Sequence, residues 1–68
     1  MLSKEQQEKI AKEIAGLEII IERNEGKNPE LAKAAKNKIM SIPERYKIDL
    51  VDLFEIDEIV QKILKKLH

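Results

Sequence analysis

Apolar residues recur along this chain at helical spacing, and in the last third they exceed what a single helical stripe can hold. Leu53, Ile56, Val60, Ile63 and Leu67 are spaced 3, 4, 3 and 4 apart, the repeat of a helix that packs against other helices. At about 100° per residue, Ile59 and Leu64 join that stripe, while Leu50, Val51 and Phe54 lie to one side and widen it. The pattern predicts a helix from Asp49, whose short side chain suits an N-cap, to Leu67, with an apolar arc that needs at least two neighbours. Asp49, Asp52, Glu55, Asp57 and Glu58 come early and Lys62, Lys65 and Lys66 late, the direction a helix dipole prefers. An alternative reading breaks this helix between Phe54 and Asp57, with Asp57 capping a second segment.

Upstream, Ile10, Ile14, Leu17 and Ile21 recur at 4, 3 and 4 and predict an amphipathic first helix of about six turns. Ser3 opens it, since Ser3 and Gln6 have capping-box spacing. Ala11, Ala15 and Gly16 are small. Glycine inside a helix costs about 1 kcal/mol relative to alanine, so Gly16 implies a close approach by a neighbour. Ile19 projects opposite the main stripe, as a scattered surface residue or as part of a second contact face.

The run Asn24-Glu25-Gly26-Lys27-Asn28-Pro29 ends this helix, with Gly26 or Asn24 as a left-handed C-cap, and starts the next, with Asn28 as N-cap and Pro29 at N1. So short a connection makes the two helices antiparallel neighbours. The second is expected from Pro29 to about Met40, offering Leu31, Ala34, Ala35, Ile39 and Ile42 on an alanine-rich face. Pro43 pushes Ile42 out of the α region and stops it. Ser41 and Glu44, again at capping-box spacing, then begin a short separate turn that Tyr46 and Ile48 pin to the core.

These elements define an all-α fold: a small three-helix bundle, made of an antiparallel helical hairpin plus a long C-terminal helix, with a short helical turn between helices 2 and 3. Residues 1–68 read as a single helical domain. Sixty-eight residues lie near the lower size limit for an unaided core. With no cysteine, neither disulfides nor a thiolate metal site reinforces it, so helix packing must, within one chain or across a homodimer. Thirteen basic and thirteen acidic residues cancel, leaving no global field to attract nucleic acid or an anionic membrane. No apolar run approaches the roughly 20 residues of a membrane span, and the opening Met-Leu-Ser-Lys-Glu-Gln-Gln-Glu lacks the apolar centre of a secretory signal. A cytoplasmic location is the expectation.

Little in the sequence carries chemistry. The acidic group from Asp49 to Glu58 reads as a solvated helix face rather than a metal site or an acid and base pair, because no histidine lies near it and calcium-loop spacing is absent. His68, the one histidine, is the last residue and reads as an inert terminus. Ser3 and Ser41 are accounted for as caps, with no histidine or cysteine placed to activate them. No enzyme activity, cofactor or metal is expected. Lys33, Lys36 and Lys38 on the second helix, with the lysines near the C-terminus, support the alternative of a small nucleic-acid-binding protein. The scarcity of Arg and aromatic residues argues against it.

From Ile10 to Ile42, a helix, a Gly/Asn loop and the opening Asn28-Pro29-Glu30-Leu31 of a second helix resemble the small helical-hairpin aspartyl-phosphate phosphatases that regulate sporulation in bacilli. The Ser-Gln-Glu-Leu-Asp signature of that family would fall at Ala35-Lys36-Asn37-Lys38-Ile39, where no residue matches. The resemblance therefore implies hairpin geometry and not the phosphatase activity.

What the pattern leaves over is apolar surface. Ile19, Met40, Leu50, Val51 and Phe54 have no obvious place in one three-helix interior, unless the connector with Tyr46 and Ile48 folds over them. They are the candidate contact residues of a small non-enzymatic protein-protein interaction or oligomerisation module, a regulator or inhibitor of a partner protein, which binds another protein or a second copy of itself.

Overall fold

The computed structural model describes residues 2–67. Three helices make up the described chain: α1 (Lys4–Asn24), α2 (Pro29–Arg45) and α3 (Leu50–Leu67). No strand occurs among the described residues, and the fold is the expected small three-helix bundle.

Each helix starts where a short polar side chain can satisfy free backbone N–H groups. Ser3 and Gln6 form a reciprocal capping box on α1. Asn28 accepts from the Leu31 amide, with Pro29 in the first turn of α2. On α3, Asp49 Oδ1 accepts from the Asp52 amide at 2.8 Å, and the helix then runs unbroken past Asp57, which excludes a second segment beginning there.

The helix ends differ from the expectation. No glycine in the described chain has positive φ. The last carbonyls of α1 are instead taken by the Asn24 side chain, which donates to Ile20 O at 2.7 Å, and by the Glu25, Lys27 and Asn28 amides. The left-handed residue is Lys47, at φ 52°. Around it the Ile48 amide donates to Pro43 O and the Lys47 amide to Glu44 O, the bond pair of a Schellman motif. Pro43 does not stop α2, which continues to Arg45. A proline removes one N–H donor, but its fixed φ is itself helical. The expected separate turn at Ser41 and Glu44 is thus the last turn of α2, and Ser41 Oγ donates back to Lys38 O rather than capping.

Packing places α1, not α3, in the middle. α1 contacts both other helices, whereas α2 and α3 make little contact with each other. α1 and α2 are antiparallel, held at one end by Lys36 and Glu25 at 2.9 Å. At the other end Arg45 donates to Glu13 at 2.8 Å and the Tyr46 hydroxyl donates to the same carboxylate at 3.0 Å. α1 and α3 are parallel, because Gln7 meets Asp52 while Ile19 shares a groove with Leu67. The shared core is Ile10, Ala11, Ala15, Ile42, Ile56 and Val60, with Ile48, Ile59, Ile63 and Leu64 among those packed around it.

The expectation that α3 lies between two neighbours is therefore corrected. Ala11 and Ala15 are fully buried and give α1 a second flat face, so that α1 has two partners and α3 mainly one. Gly16 is not the point of close approach: it is exposed, and a Cβ there would meet nothing within 4 Å.

Candidate functional site

The first two turns of α3 are arranged inside out. Asp52, Ile56 and Val60 recur every four residues and point inward, all at 1% exposure. Leu50, Val51 and Phe54, on the other side of the same turns, are 66%, 56% and 66% exposed. A carboxylate is thus buried where an apolar residue would serve the core, and three large apolar side chains face water.

Asp52 was expected on a solvated acidic face and is instead tied into the α1–α3 interface. Its Oδ2 accepts from the Leu2 amide at 3.1 Å and its Oδ1 from Gln7 Nε2 at 3.0 Å. Gln7 is buried as well and gives its second N–H to Glu55. Loss of hydration is the largest influence on the Asp52 carboxyl and pushes it up, but the Leu2 and Gln7 hydrogen bonds help to outweigh it, and the net position lies below the ordinary carboxylate value. Glu18, on α1, shifts the other way, raised by partial burial and then by the charge of Asp57. The spacing carried a signal for Asp52, which lies four, seven and eight residues before Ile56, Ile59 and Val60 and so shares their face.

The five candidate contact residues do not form one surface. Leu50, Val51 and Phe54 sit together on adjacent turns, with Leu53, 37% exposed, at their edge. Ile19 is half-buried in a groove with Glu22, Arg23 and Leu67, at the other end of α3 and about 20 Å away at 1.5 Å per residue. Met40 is 77% exposed on the outer side of α2, on the face away from buried Ala35 and Ile42. The connector does not fold over any of the α3 group: Ile48 packs on the core, while Tyr46 stays at the surface beneath Arg45, 5.2 Å from its ring centroid.

Among the described residues no group of three His, Asp or Glu side chains is placed to hold a metal ion. No helix of the described chain is long and apolar enough to cross a membrane. A groove beside the start of α1, lined by Leu2, Gln6, Lys9, Ile10, Glu13 and Tyr46, contains one carboxylate, Glu13, and Arg45 and Tyr46 already occupy it. Of the candidate basic residues, Lys36 is paired with Glu25, Lys33 and Lys38 lie on α2, and Lys62, Lys65 and Lys66 lie on α3. His68 lies outside the described residues. Comparison of the chain with known protein families, with curated proteins and with solved structures gives no match.

Proposed function

We propose that this chain is a small protein-interaction or oligomerisation module that works through the outward face of the first turns of α3. One observation carries the reading: Leu50, Val51 and Phe54 are contiguous and each more than half exposed. Isolated apolar side chains on a surface are ordinary, whereas a contiguous group of large ones marks a contact site. Fully burying a wholly exposed side chain of this size yields about 1.5–3 kcal/mol, and the part of it that corresponds to the exposed area of these three is left for a partner to recover. Ile19 and Met40 are separate from this face and do not belong to the proposed site.

The test separates contact from core. A Leu50→Ser, Val51→Ser, Phe54→Ser protein should keep the wild-type helical circular-dichroism spectrum and, in dilute solution, at least the wild-type thermal midpoint, while losing its associations with protein. Those associations in the wild-type chain should persist from low to high salt, because they bury apolar surface rather than release counterions. If the triple variant unfolds, and the wild-type chain melts at one temperature whatever its concentration, the three residues stabilise the protomer itself and the reading fails.

A further inference from the structure

The apolar group on α3 is bordered by uncancelled negative charge. From Asp49 to Gln61 the chain carries Asp49, Asp52, Glu55, Asp57 and Glu58 without one lysine or arginine, although acidic and basic residues balance over the whole sequence. Two of these have a structural role: Asp49 caps α3 and Asp52 is buried against α1. The helix dipole favours acid within the first turn, Leu50 to Leu53. It does not account for Glu55, Asp57 and Glu58, which are exposed in the two turns that follow.

Nothing in the described fold neutralises these three. Among the described residues Glu55, Asp57 and Glu58 form no ion pair, and Glu55 accepts from Gln7, a neutral donor. Lys62 stands one turn beyond Glu58 without pairing to it. Asp57 meets a like charge instead: the Glu18 carboxyl, raised first by partial burial, is raised further by Asp57. Like charges one turn apart, as Glu55 and Glu58 are, weaken a helix, so the fold keeps this group at a cost.

Helical spacing sets the carboxylates beside the apolar side chains. Asp57 and Glu58 follow Phe54 by three and four residues, Asp57 follows Leu50 by seven, and Glu55 follows Val51 by four. Positions at those intervals share a side of the helix. The face therefore offers apolar area with acid next to it, and that combination sets the chemistry of its occupant. A nucleic acid or an anionic bilayer is repelled. A second copy is poorly matched too, because its α3 brings the same acids, and Lys62, Lys65 and Lys66 lie beyond its apolar group rather than beside it.

We infer that the occupant of this face is a segment of a different protein that carries lysine or arginine beside large apolar side chains, its cations meeting Glu55, Asp57 and Glu58 while its apolar residues cover Leu50, Val51 and Phe54. The inference rests on the reading of this face as a contact surface and names the chemistry of its partner.

Charges beside an apolar contact act mainly on the rate of encounter, so the complex still forms at high salt, but more slowly. The probes are two amphipathic helical peptides of equal length, one of leucine and lysine, the other of leucine and glutamate. Surface plasmon resonance on the whole chain should show the lysine peptide associating at least about ten times faster than the glutamate peptide, by a margin that shrinks as salt rises. Asp57→Asn with Glu58→Gln should slow association of the lysine peptide about five-fold and change its dissociation little. Leu50→Ser, Val51→Ser, Phe54→Ser should instead speed dissociation about 100-fold.

Equal association of the two peptides, binding of neither, or a lysine-peptide rate that Asp57→Asn with Glu58→Gln leaves unchanged overturns the basic partner. Binding that is indifferent to charge but lost in the triple serine variant overturns it alone and leaves the contact surface standing. Lysine-peptide binding that the serine changes leave intact overturns the contact surface as well. A wild-type dimer in sedimentation equilibrium that the serine changes dissociate gives the face to a second copy and overturns the inference. Should the triple serine protein fail to fold, the Asp57→Asn, Glu58→Gln protein decides, since both residues are exposed.

Discussion

Gln7 and Asp52, 45 positions apart, share a 3.0 Å hydrogen bond inside the interface between α1 and α3. Both N–H groups of the Gln7 amide are in use, one on Asp52 and one on Glu55, so a single side chain holds the start of one helix against the start of the other. No methylene chain can replace those donors, and a buried acceptor that loses its partner costs about 1–3 kcal/mol. Gln7→Ala and Gln7→Leu should both lower the free energy of unfolding by about that amount in urea titrations, even though leucine is the more apolar. If Gln7→Leu is as stable as wild type, the bond contributes nothing net.

Asp52 gives the fold a definite pH dependence. Its carboxyl lies below its ordinary value of 3.8 in the folded chain and returns to it on unfolding, so between the two values the unfolded state binds more protons. The stability it contributes is therefore fully present above the ordinary value and is lost as pH falls through the folded one. Thermal midpoints from pH 7 down to pH 2 should drop on an acid limb that Asp52→Asn flattens. Glu18, raised in the folded chain, acts in the opposite sense: its ionisation is less favourable when folded, so it weakens the fold as pH rises through its folded value. Glu18→Gln should accordingly leave the acid limb of Asp52 in place while slightly raising stability at neutral pH.

The three helices and their N-caps were legible because both are local. Ser3 with Gln6, Asn28 with Pro29, and Asp49 three residues before Asp52 are signals carried within one turn. The helix ends were harder to read, because satisfying the last carbonyls needs a backbone shape that several residue types can adopt. Gly26 looked like the left-handed position, yet that conformation falls on Lys47. Proline was read as a stop, yet α2 runs through Pro43 to Arg45.

Which helix lies in the middle was not readable either. The stripe Ile10, Ile14, Leu17, Ile21 suggests one inner face on α1. The second face is made by Ala11 and Ala15, which fit against a close neighbour as well as they fit in water. The width of the apolar arc on α3 implies at least two neighbours, of which the chain itself supplies mainly one, α1. The same width is produced by one neighbour on the inner side and an uncovered group, Leu50, Val51 and Phe54, on the outer.

Gly16 offers a stability gain at no structural cost. It lies inside α1, and an added Cβ meets nothing within 4 Å. Alanine there removes backbone freedom from the unfolded chain without a clash, worth about 1 kcal/mol. For a chain of this length that amounts to a thermal midpoint roughly 4–8 °C higher. A fall in the midpoint of Gly16→Ala would mean that a neighbouring helix approaches this side more closely than the structure has it.

Lys47 supplies the complementary case, where glycine should beat alanine. Its φ of 52° lies in the left-handed region, where Cβ crowds the neighbouring backbone carbonyl, a cost of roughly 1–2 kcal/mol for a residue with a side chain. The Schellman bonds from Ile48 to Pro43 and from Lys47 to Glu44, and the packing of Ile48 on the core, hold it there. Lys47→Gly and Lys47→Ala remove the same charge, so their difference isolates the backbone from any electrostatic role of the lysine. Lys47→Gly should be the more stable by about 1 kcal/mol in denaturant titrations, the reverse of the order expected at Gly16. Equal stabilities would show that the turn after α2 relaxes to negative φ, and the path that delivers Asp49 to the cap of α3 would then need to be redrawn.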